Sequence, residues 1–226
     1  MALMLRLGAW QLERADFKTQ LSEQAQKNNA RPALPADEIL QQAATDSESW
    51  YFRSVKVTGQ FDPVHQYLLD NRTFDGRAGY HVLSIFRYGA HQLLVNRGWT
   101  PVGADRRVLP DIRIDDQPVG LTGRLAPIPG SGLLLGDAGY GQATWPKVVQ
   151  RAELDSVQAQ LGITLLPVVL LLDPEHPACL NCRWVAARGI SADRHRGYAV
   201  QWFSLAVTFL VLLGITCFYG NRRRDC

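Results

Sequence analysis

His195, near the C-terminus, is the residue whose type and neighbours most clearly suggest a ligand-binding site. Tyr198, Ala199 and Trp202 follow His195 at three, four and seven positions, and this spacing places side chains on one side of a helix. A haem site needs an axial imidazole, a flat apolar slot and aromatic walls, and Ala199 would leave room for a ring. Tyrosine and tryptophan are also enriched at membrane interfaces, so the pattern has a purely structural interpretation as well.

Two arginines flank this histidine. Arg194 and Arg196 could pair with the propionates of a haem at the level of the lipid headgroups. Arginines near membrane interfaces also extend their charged groups toward water when no ligand is bound. Both interpretations stay open on the residues alone.

His176, Cys179 and Cys182 form a second candidate with the pattern H-x-x-C-x-x-C. Thiolate and imidazole groups can hold a soft metal, and a C-x-x-C pair can be a disulfide or a redox dithiol. Zinc or copper would need a further ligand or an open position. A metal site, a redox or disulfide pair and an incidental pair therefore all stay open.

Motifs of nucleotide binding and nucleophilic catalysis are weak. The segment 136–142 contains three glycines but lacks the lysine and hydroxyl of a phosphate-binding loop. Ser131 lies between glycines without the strand-turn-helix context of a nucleophile elbow. We predict a loop here, and we expect that the protein is not an enzyme.

Asn96, Arg97 and Gly98 are expected at the end of a strand. Glycine permits a positive φ or a close approach of another backbone. Arg97 could bind the carboxylate of a propionate or of a partner, but a buried structural salt bridge is the favoured interpretation.

The elements that position these candidates begin with the C-terminal run. No charged side chain occurs between Gly197 and Asn221, and this exceeds the roughly 20 apolar residues that a bilayer core requires. We predict a transmembrane helix over residues 194–221 and a basic tail over residues 222–226. Arginines lie on both sides of the run, so the positive-inside rule does not determine its orientation.

Composition narrows the class of the remaining chain. Of its 226 residues, 46% are apolar and 20% are charged, which argues against a disordered chain. The net charge of +3 is too small and too scattered to argue for nucleic acid as a partner. The roughly 200 residues outside the membrane helix suffice for one domain with a core.

The N-terminal part is predicted to be helical. Residues 1–10 are apolar except for Arg6, are too short for a span, and lack the pattern of a signal peptide. Either the N-terminus is soluble, or residues 1–10 are the remnant of a first membrane helix that is truncated. Helical spacing predicts an amphipathic helix over residues 7–26 and a short helix over residues 37–44, so residues 11–46 form a helical segment.

Residues 47–193 are predicted to form a β-rich domain. Alternation predicts a strand over residues 51–61 that ends at Asp62-Pro63. Further strands are expected over residues 80–88, 91–99 and 119–125, with a type II′ turn at Gly89-Ala90 between the first two. A helix over residues 148–161 would stop at Gly162, and residues 163–172 would add one or two buried strands. The predicted fold class is α+β, a small mostly antiparallel sheet or partly closed barrel with peripheral helices plus the C-terminal transmembrane helix.

Several segments in order along the chain resemble the Surfeit locus protein 1 family, membrane factors for the assembly of haem-copper cytochrome c oxidase. GAWQLERADFK at residues 8–18 looks like the family motif at the end of its first membrane helix. HRGYAVQWF at residues 195–203 is similar to the entry into its second helix. Three further segments look like its central sheet: VTGQFDP (57–63), NRTFDGRAGYHVLS (71–84) and LLVNRGWTP (93–101).

The resemblance implies a two-helix hairpin in the bacterial cytoplasmic (inner) membrane, with the main domain on the periplasmic side. It implies that the protein delivers or stabilises haem a for the catalytic subunit of the oxidase, next to the machinery of haem a synthesis. His195 occupies the place of the haem ligand proposed for bacterial members, and Tyr198 and Trp202 match the adjacent motif.

Two other functions remain as alternatives. The protein could be a membrane scaffold that holds oxidase subunits without contacting haem. It could also be a membrane-tethered thiol oxidoreductase that uses Cys179 and Cys182, although this pair is not part of the family pattern.

Overall fold

The computed structural model describes residues 1–43, 45–129, 138–184 and 191–222. Ser131, the first part of the glycine-rich segment 136–142 and most of the basic tail lie outside these residues. The chain divides into two compact units, one that joins Met1–Gln24 with Ala186–Cys226 and one that comprises Ala25–Val185.

The described residues form four α-helices, a short 3-10 turn and seven strands, which confirms the predicted α+β class. In chain order they are α1 (Ala2–Asn29), β1 (Leu34–Pro35), α2 (Ala36–Ala43), the 3-10 turn (Glu48–Trp50), β2 (Ser54–Phe74), β3 (Arg77–Tyr88), β4 (His91–Pro101), β5 (Val119–Ala126), β6 (Lys147–Val149), α3 (Leu154–Leu161), β7 (Val169–Leu172) and α4 (Ala192–Arg222).

Five strands of the second unit close into a barrel. Their order is β2, β3, β4, β7 and β5, and β5 pairs back onto β2. All pairs in this ring are antiparallel except β4 with β7, and the short strands β1 and β6 add to β2 in parallel. Closure removes the unpaired strand edges that an open sheet of this size would expose.

Alternating side chains divide the apolar residues of these strands into separate clusters. One cluster draws on all five strands of the ring, for example through Val55, Phe86, Val95, Leu121 and Leu170. The neighbouring residues along the strands, such as Ile85, Leu94 and Val169, belong to a second cluster that includes Val157 of α3. The period of two in the sequence therefore produces one apolar layer on each side of the sheet.

The β3–β4 hairpin agrees with the sequence prediction. Gly89 has a φ of +53°, as the first central position of a type II′ turn requires. Gly162 ends α3 with a left-handed conformation, φ 64° and ψ 33°, which is a common helix stop.

The predicted end of the first strand at Asp62-Pro63 is wrong. β2 continues to Phe74, with a shift of register between Phe61 and Gln66. Proline has no N–H to donate to a strand ladder. In this irregular stretch the N–H groups of the residues after Pro63 form local hydrogen bonds instead. Oδ1 of Asp62 accepts the N–H groups of Val64 and His65 at 2.9 and 3.0 Å, so the strand can resume.

Two predicted helix boundaries also differ from the structure. Residues 148 and 149 lie in β6, whose backbone pairs with Tyr67–Leu69 of β2, and the helix starts only at Leu154. Apolar spacing does not distinguish these two states in so short a segment. At the N-terminus, α1 already begins at Ala2 and includes nine of the first ten residues.

One described helix is long and apolar enough to cross a membrane. It is the part of α4 from Ala192 to Thr216, which spans 25 residues. Its large apolar side chains are mostly exposed in the structure, among them Leu205, Phe209 and Ile215. Exposed apolar side chains along most of a helix are the pattern expected of a surface that contacts lipid.

Candidate functional site

His195 lies one turn into α4 and packs against α1 within the first unit. Its side chain is buried, with the residue 7% exposed. Its Nδ1 lies 2.6 Å from Oε1 of Gln11. The ring of Trp10 meets the imidazole edge-on, with 6.4 Å between ring centroids and an interplanar angle of 88°.

The contact with Gln11 determines which ring nitrogen of the histidine is available. An amide oxygen can only accept a hydrogen bond, so with this oxygen facing the ring Nδ1 must carry the proton. In the neutral form of the ring, the other nitrogen, Nε2, has a free lone pair. Within the described ranges, Nε2 makes no hydrogen bond to the protein. The geometry thus presents one imidazole nitrogen in the state that metal ligation requires.

Small residues bring α1 and α4 together beside this histidine. A Cβ atom on Gly8 would lie 2.6 Å from Cε1 of Phe203, so a larger residue would displace the phenylalanine ring from its present position. Ala199 is 1% exposed and Ala206 is 2% exposed. Close packing through small residues is typical of helix pairs in membranes. The space that Ala199 was expected to leave for a flat ring is therefore filled in this structure.

Tyr198 and Trp202 border the site without enclosing it. Tyr198 is 43% exposed, and Trp202 is half-buried. They follow His195 on α4 but do not share its burial. The aromatic ring that contacts the imidazole is instead Trp10 of α1.

The two arginines differ in their surroundings. The guanidinium of Arg196 donates to Oδ1 of Asp193 at 3.2 Å and to Oγ1 of Thr19 at 3.1 Å, and it therefore links α4 to α1. Arg194 is exposed, and no ion pair of its side chain occurs in the described part of the chain. Arg194 is therefore the freer of the two for an anionic group.

The sequence did not identify Gln11 and Trp10 as site residues. They precede His195 by more than 180 positions, and pairing between distant helices leaves no periodic signal. One signal was present, because Gln11 is an amide in an apolar stretch and belongs to the segment GAWQLER.

Cys179 and Cys182 form a disulfide. Cys182 is 3% exposed and belongs to the apolar cluster of the barrel strands, and Cys179 packs against that cluster. Nδ1 of His176 accepts the N–H of Ala178 at 3.1 Å. Among the described residues no group of three or more His, Cys, Asp or Glu side chains could hold a metal ion. The disulfide is the interpretation that the structure supports for this pair.

Arg97 is buried inside the second unit and bonds to uncharged acceptors. Its Nη1 donates to Oε1 of Gln66 at 2.9 Å and to the carbonyl of Ile112 at 2.8 Å, and its Nε donates to the carbonyl of Ala178 at 3.1 Å. No carboxylate pairs with it within the described residues, in contrast to the predicted salt bridge. Burial lowers the pKa of Arg97 to about 10, so the side chain stays charged at neutral pH.

Gly98 allows the close backbone approach that was predicted. Its φ is +100°, and a Cβ atom there would lie 2.5 Å from the carbonyl oxygen of Asn181. On either side of it, Leu180 donates its N–H to the carbonyl of Arg97, and Trp99 donates its N–H to the carbonyl of Asn181, both at 2.8 Å. Residues 179–182, called the disulfide segment below, are thereby hydrogen-bonded directly to β4.

Another histidine, His65 of β2, pairs with a carboxylate. Nδ1 of His65 is 2.8 Å from Oδ2 of Asp62. Burial acts to raise the pKa of Asp62, but the hydrogen bonds from His65 and Val64 outweigh it, and the net pKa is lowered. The pair borders an open cleft of about 250 Å³ together with Arg87 and Gln92.

Comparison with known proteins agrees with the resemblance found in the motifs. A model described as the SURF1 family matches residues 1–207. An uncharacterized SURF1-like protein of Mycobacterium tuberculosis is 26% identical over 223 residues, which cover 96% of this chain and 79% of the relative. A SURF1-like protein of Rickettsia felis is 24% identical over 223 residues, with 93% and 90% covered. One of Rickettsia bellii is 25% identical over 219 residues, with 94% and 86% covered.

Proposed function

Because the chain belongs to the SURF1 family, we propose that it is a membrane-bound, non-enzymatic assembly factor of haem-copper cytochrome c oxidase that holds haem a at His195. The family is generally linked to cytochrome oxidase assembly.

The observation that carries the proposal is the state of the His195 imidazole. Its Nδ1 is bound to Gln11 and its Nε2 has no hydrogen bond among the described residues, which is the arrangement of a histidine that ligates a metal. A neutral imidazole with a fixed orientation would suit a ligand of haem iron. When bound, haem a would supply the iron centre and the porphyrin that the oxidase needs.

The surroundings of His195 suit the periphery of a porphyrin. Trp10 and Tyr198 are 47% and 43% exposed, so their rings are available to an apolar partner. Arg194 is exposed and is the side chain that we assign to a propionate, since a guanidinium binds a carboxylate through two parallel hydrogen bonds. Arg196 is already engaged by Asp193 and Thr19 and serves mainly to hold the two helices together.

We place the protein in the bacterial inner membrane with the second unit on the periplasmic side. The long apolar part of α4 supports membrane anchoring. The disulfide between Cys179 and Cys182 supports the periplasmic side, because disulfides persist in oxidising compartments and are rare in the cytosol. The partners would be the catalytic subunit of the oxidase, the machinery of haem a synthesis and membrane lipid.

The test is haem loading of the full chain and of two histidine variants. Co-expression with haem a synthesis enzymes, followed by purification in detergent, should give a haem spectrum for the wild type. His195→Ala should lose or shift the spectrum. His91→Ala removes a histidine of β4 and should leave the spectrum unchanged.

The same preparation separates the proposal from a pure scaffold. A scaffold would co-purify with the oxidase subunit but carry no porphyrin. If His195→Ala kept an unaltered haem spectrum, the assignment of His195 as the ligand would be wrong, although a role in assembly would stand.

The disulfide keeps a thiol oxidoreductase as the second candidate. Reactive C-x-x-C pairs are partially exposed and commonly lie at a helix N-terminus. In this structure the pair precedes no helix within residues 173–184, and Cys182 is 3% exposed. These facts favour a structural bond. Cys179→Ser should therefore leave oxidase maturation intact, whereas loss of maturation would favour the oxidoreductase.

A further inference from the structure

We propose that Gln11 is the positioning residue of the His195 site, and that its uncharged amide keeps the bond between the imidazole and haem iron weak enough for transfer. This inference rests on the function proposed above. It adds a residue of α1 to the site and gives a chemical reason for transient binding.

The contact between Gln11 and His195 is short and shielded from water. The distance of 2.6 Å between Oε1 of Gln11 and Nδ1 of His195 is short for a hydrogen bond between neutral groups. The histidine is 7% exposed, so bulk water has little access to compete for Nδ1. With Oε1 of Gln11 facing the ring, a neutral imidazole carries its proton on Nδ1 rather than on Nε2.

Two neighbouring residues of α1 restrain the orientation of the His195 imidazole. The imidazole lies nearly perpendicular to the ring of Trp10, the residue next to Gln11. A hydrogen bond at one nitrogen and this aromatic contact together limit rotation about the side-chain torsions. Both restraints come from one turn of α1, so the position of α1 fixes the direction in which Nε2 points.

The amide oxygen of Gln11 is a weaker hydrogen-bond acceptor than a carboxylate. Histidines that ligate metals commonly donate the other N–H to a carboxylate, a carbonyl or water, and a strong acceptor raises the basicity of the ligating nitrogen. Hydrogen bonds to a charged acceptor are about twice as strong as those between neutral groups. An amide is the weaker choice, and no carboxylate pairs with His195 within the described ranges. The imidazole should therefore bind iron less tightly than one backed by aspartate or glutamate.

A protein that passes haem to another protein benefits from such a ligand. Tight ligation would trap the haem, whereas a ring with the wrong tautomer would not bind it. A neutral hydrogen-bond acceptor meets both conditions, because it presents the lone pair of Nε2 without adding negative charge.

The first experiment measures the tautomer without haem. Imidazole ¹⁵N shifts of the full chain in detergent, with the histidines labelled, should show the proton of His195 on Nδ1. Gln11→Leu should lose this preference, and Gln11→Glu should retain it. Gln20→Leu alters an exposed glutamine of the same helix and should change nothing. An unaltered His195 signal in Gln11→Leu would overturn the positioning role.

The second experiment measures release. Each chain is loaded with haem a, and the transfer of haem to excess apomyoglobin is followed by absorbance. Gln11→Glu should slow the transfer roughly 10- to 100-fold, the range typical of changes in groups behind metal ligands, and should shift the reduction potential of the haem to more negative values. Gln20→Glu introduces the same charge on the same helix and should transfer haem at the wild-type rate.

The two experiments separate the failure of this inference from the failure of the proposed function. A wild-type chain that takes up no haem a would overturn the proposed function and, with it, the role of Gln11 in release, while the tautomer result would still decide the positioning role. A wild-type chain that binds haem, together with a Gln11→Glu chain that releases it equally fast, would overturn the release role alone.

Discussion

Arg97 shows how one buried side chain can connect separate parts of the second unit. It is 3% exposed, and its guanidinium bonds to Gln66 of β2, to the carbonyl of Ile112 and to the carbonyl of Ala178 beside the disulfide. A guanidinium suits this role because its donors form a rigid planar fork. We infer that Arg97 stabilises the barrel and the disulfide segment jointly.

Replacement of Arg97 by methionine tests this role. The variant leaves the carbonyls of Ile112 and Ala178 without the guanidinium that donates to them, whereas Oε1 of Gln66 keeps only the hydroxyl of Ser84. Each unsatisfied buried acceptor destabilises the fold. We expect Arg97→Met to lower the free energy of unfolding by about 3 kcal/mol. Thermal unfolding of the detergent-solubilised chain, followed by tryptophan fluorescence, measures it.

A matched variant guards against a general effect of removing an arginine. Arg113→Met removes a largely exposed arginine that pairs with Asp111, and exposed pairs contribute little. This variant should unfold at the wild-type temperature. Equal unfolding temperatures for Arg97→Met and the wild type would show that the buried hydrogen bonds do not stabilise the fold.

At the scale of elements, the sequence predicted the strands well, but it did not predict the contacts between α1 and α4. Alternating apolar residues such as Val55 and Val57 mark a strand directly, because burial on one face repeats every two residues. The Asp62-Pro63 boundary failed because local hydrogen bonds let β2 continue through it. The contact between Gln11 and His195 could not be predicted, because it depends on the packing of two helices at opposite ends of the chain.

Gly8 is a position where a side chain would disturb this helix pairing. A leucine side chain there would overlap with the ring of Phe203, since even a Cβ atom would lie 2.6 Å from it. We expect Gly8→Leu to separate α1 from α4 and to break the hydrogen bond between Gln11 and His195. The ¹⁵N signal of His195 should lose its Nδ1–H preference, and haem uptake should fall.

The control for this prediction is a glycine on α4 with open space around it. A Cβ atom on Gly214 would have no atom of the described residues within 4 Å outside its own stretch of helix, so Gly214→Leu should keep both the tautomer and haem uptake. If Gly8→Leu also kept both, the close approach at Gly8 would not be what positions the histidine.

At the scale of the whole molecule, the family motifs divide between the two units. GAWQLERADFK and HRGYAVQWF lie in the first unit, where they supply Gln11 and His195 to one site. The three central motifs lie in the second unit, where they form β2, β3 and β4. The sequence identified both sets, but only the structure distinguishes the set that surrounds a candidate ligand from the set that builds a barrel.

The side of the membrane on which the second unit lies is the last property that can be tested, and its cysteines provide the probes. The arginines around α4 do not decide the orientation, whereas the disulfide favours an oxidising compartment.

We expect Cys179 to react with a membrane-impermeant maleimide in cells with a permeabilised outer membrane, and only after reduction. Cys226, which follows the three arginines of the tail, should react only after the inner membrane is opened. Cys217→Ser removes the cysteine of the apolar run, and Cys179→Ser combined with Cys182→Ser identifies the labelled site. Labelling of Cys226 in cells with an intact inner membrane, with Cys179 protected, would place the second unit in the cytoplasm and contradict the proposed topology.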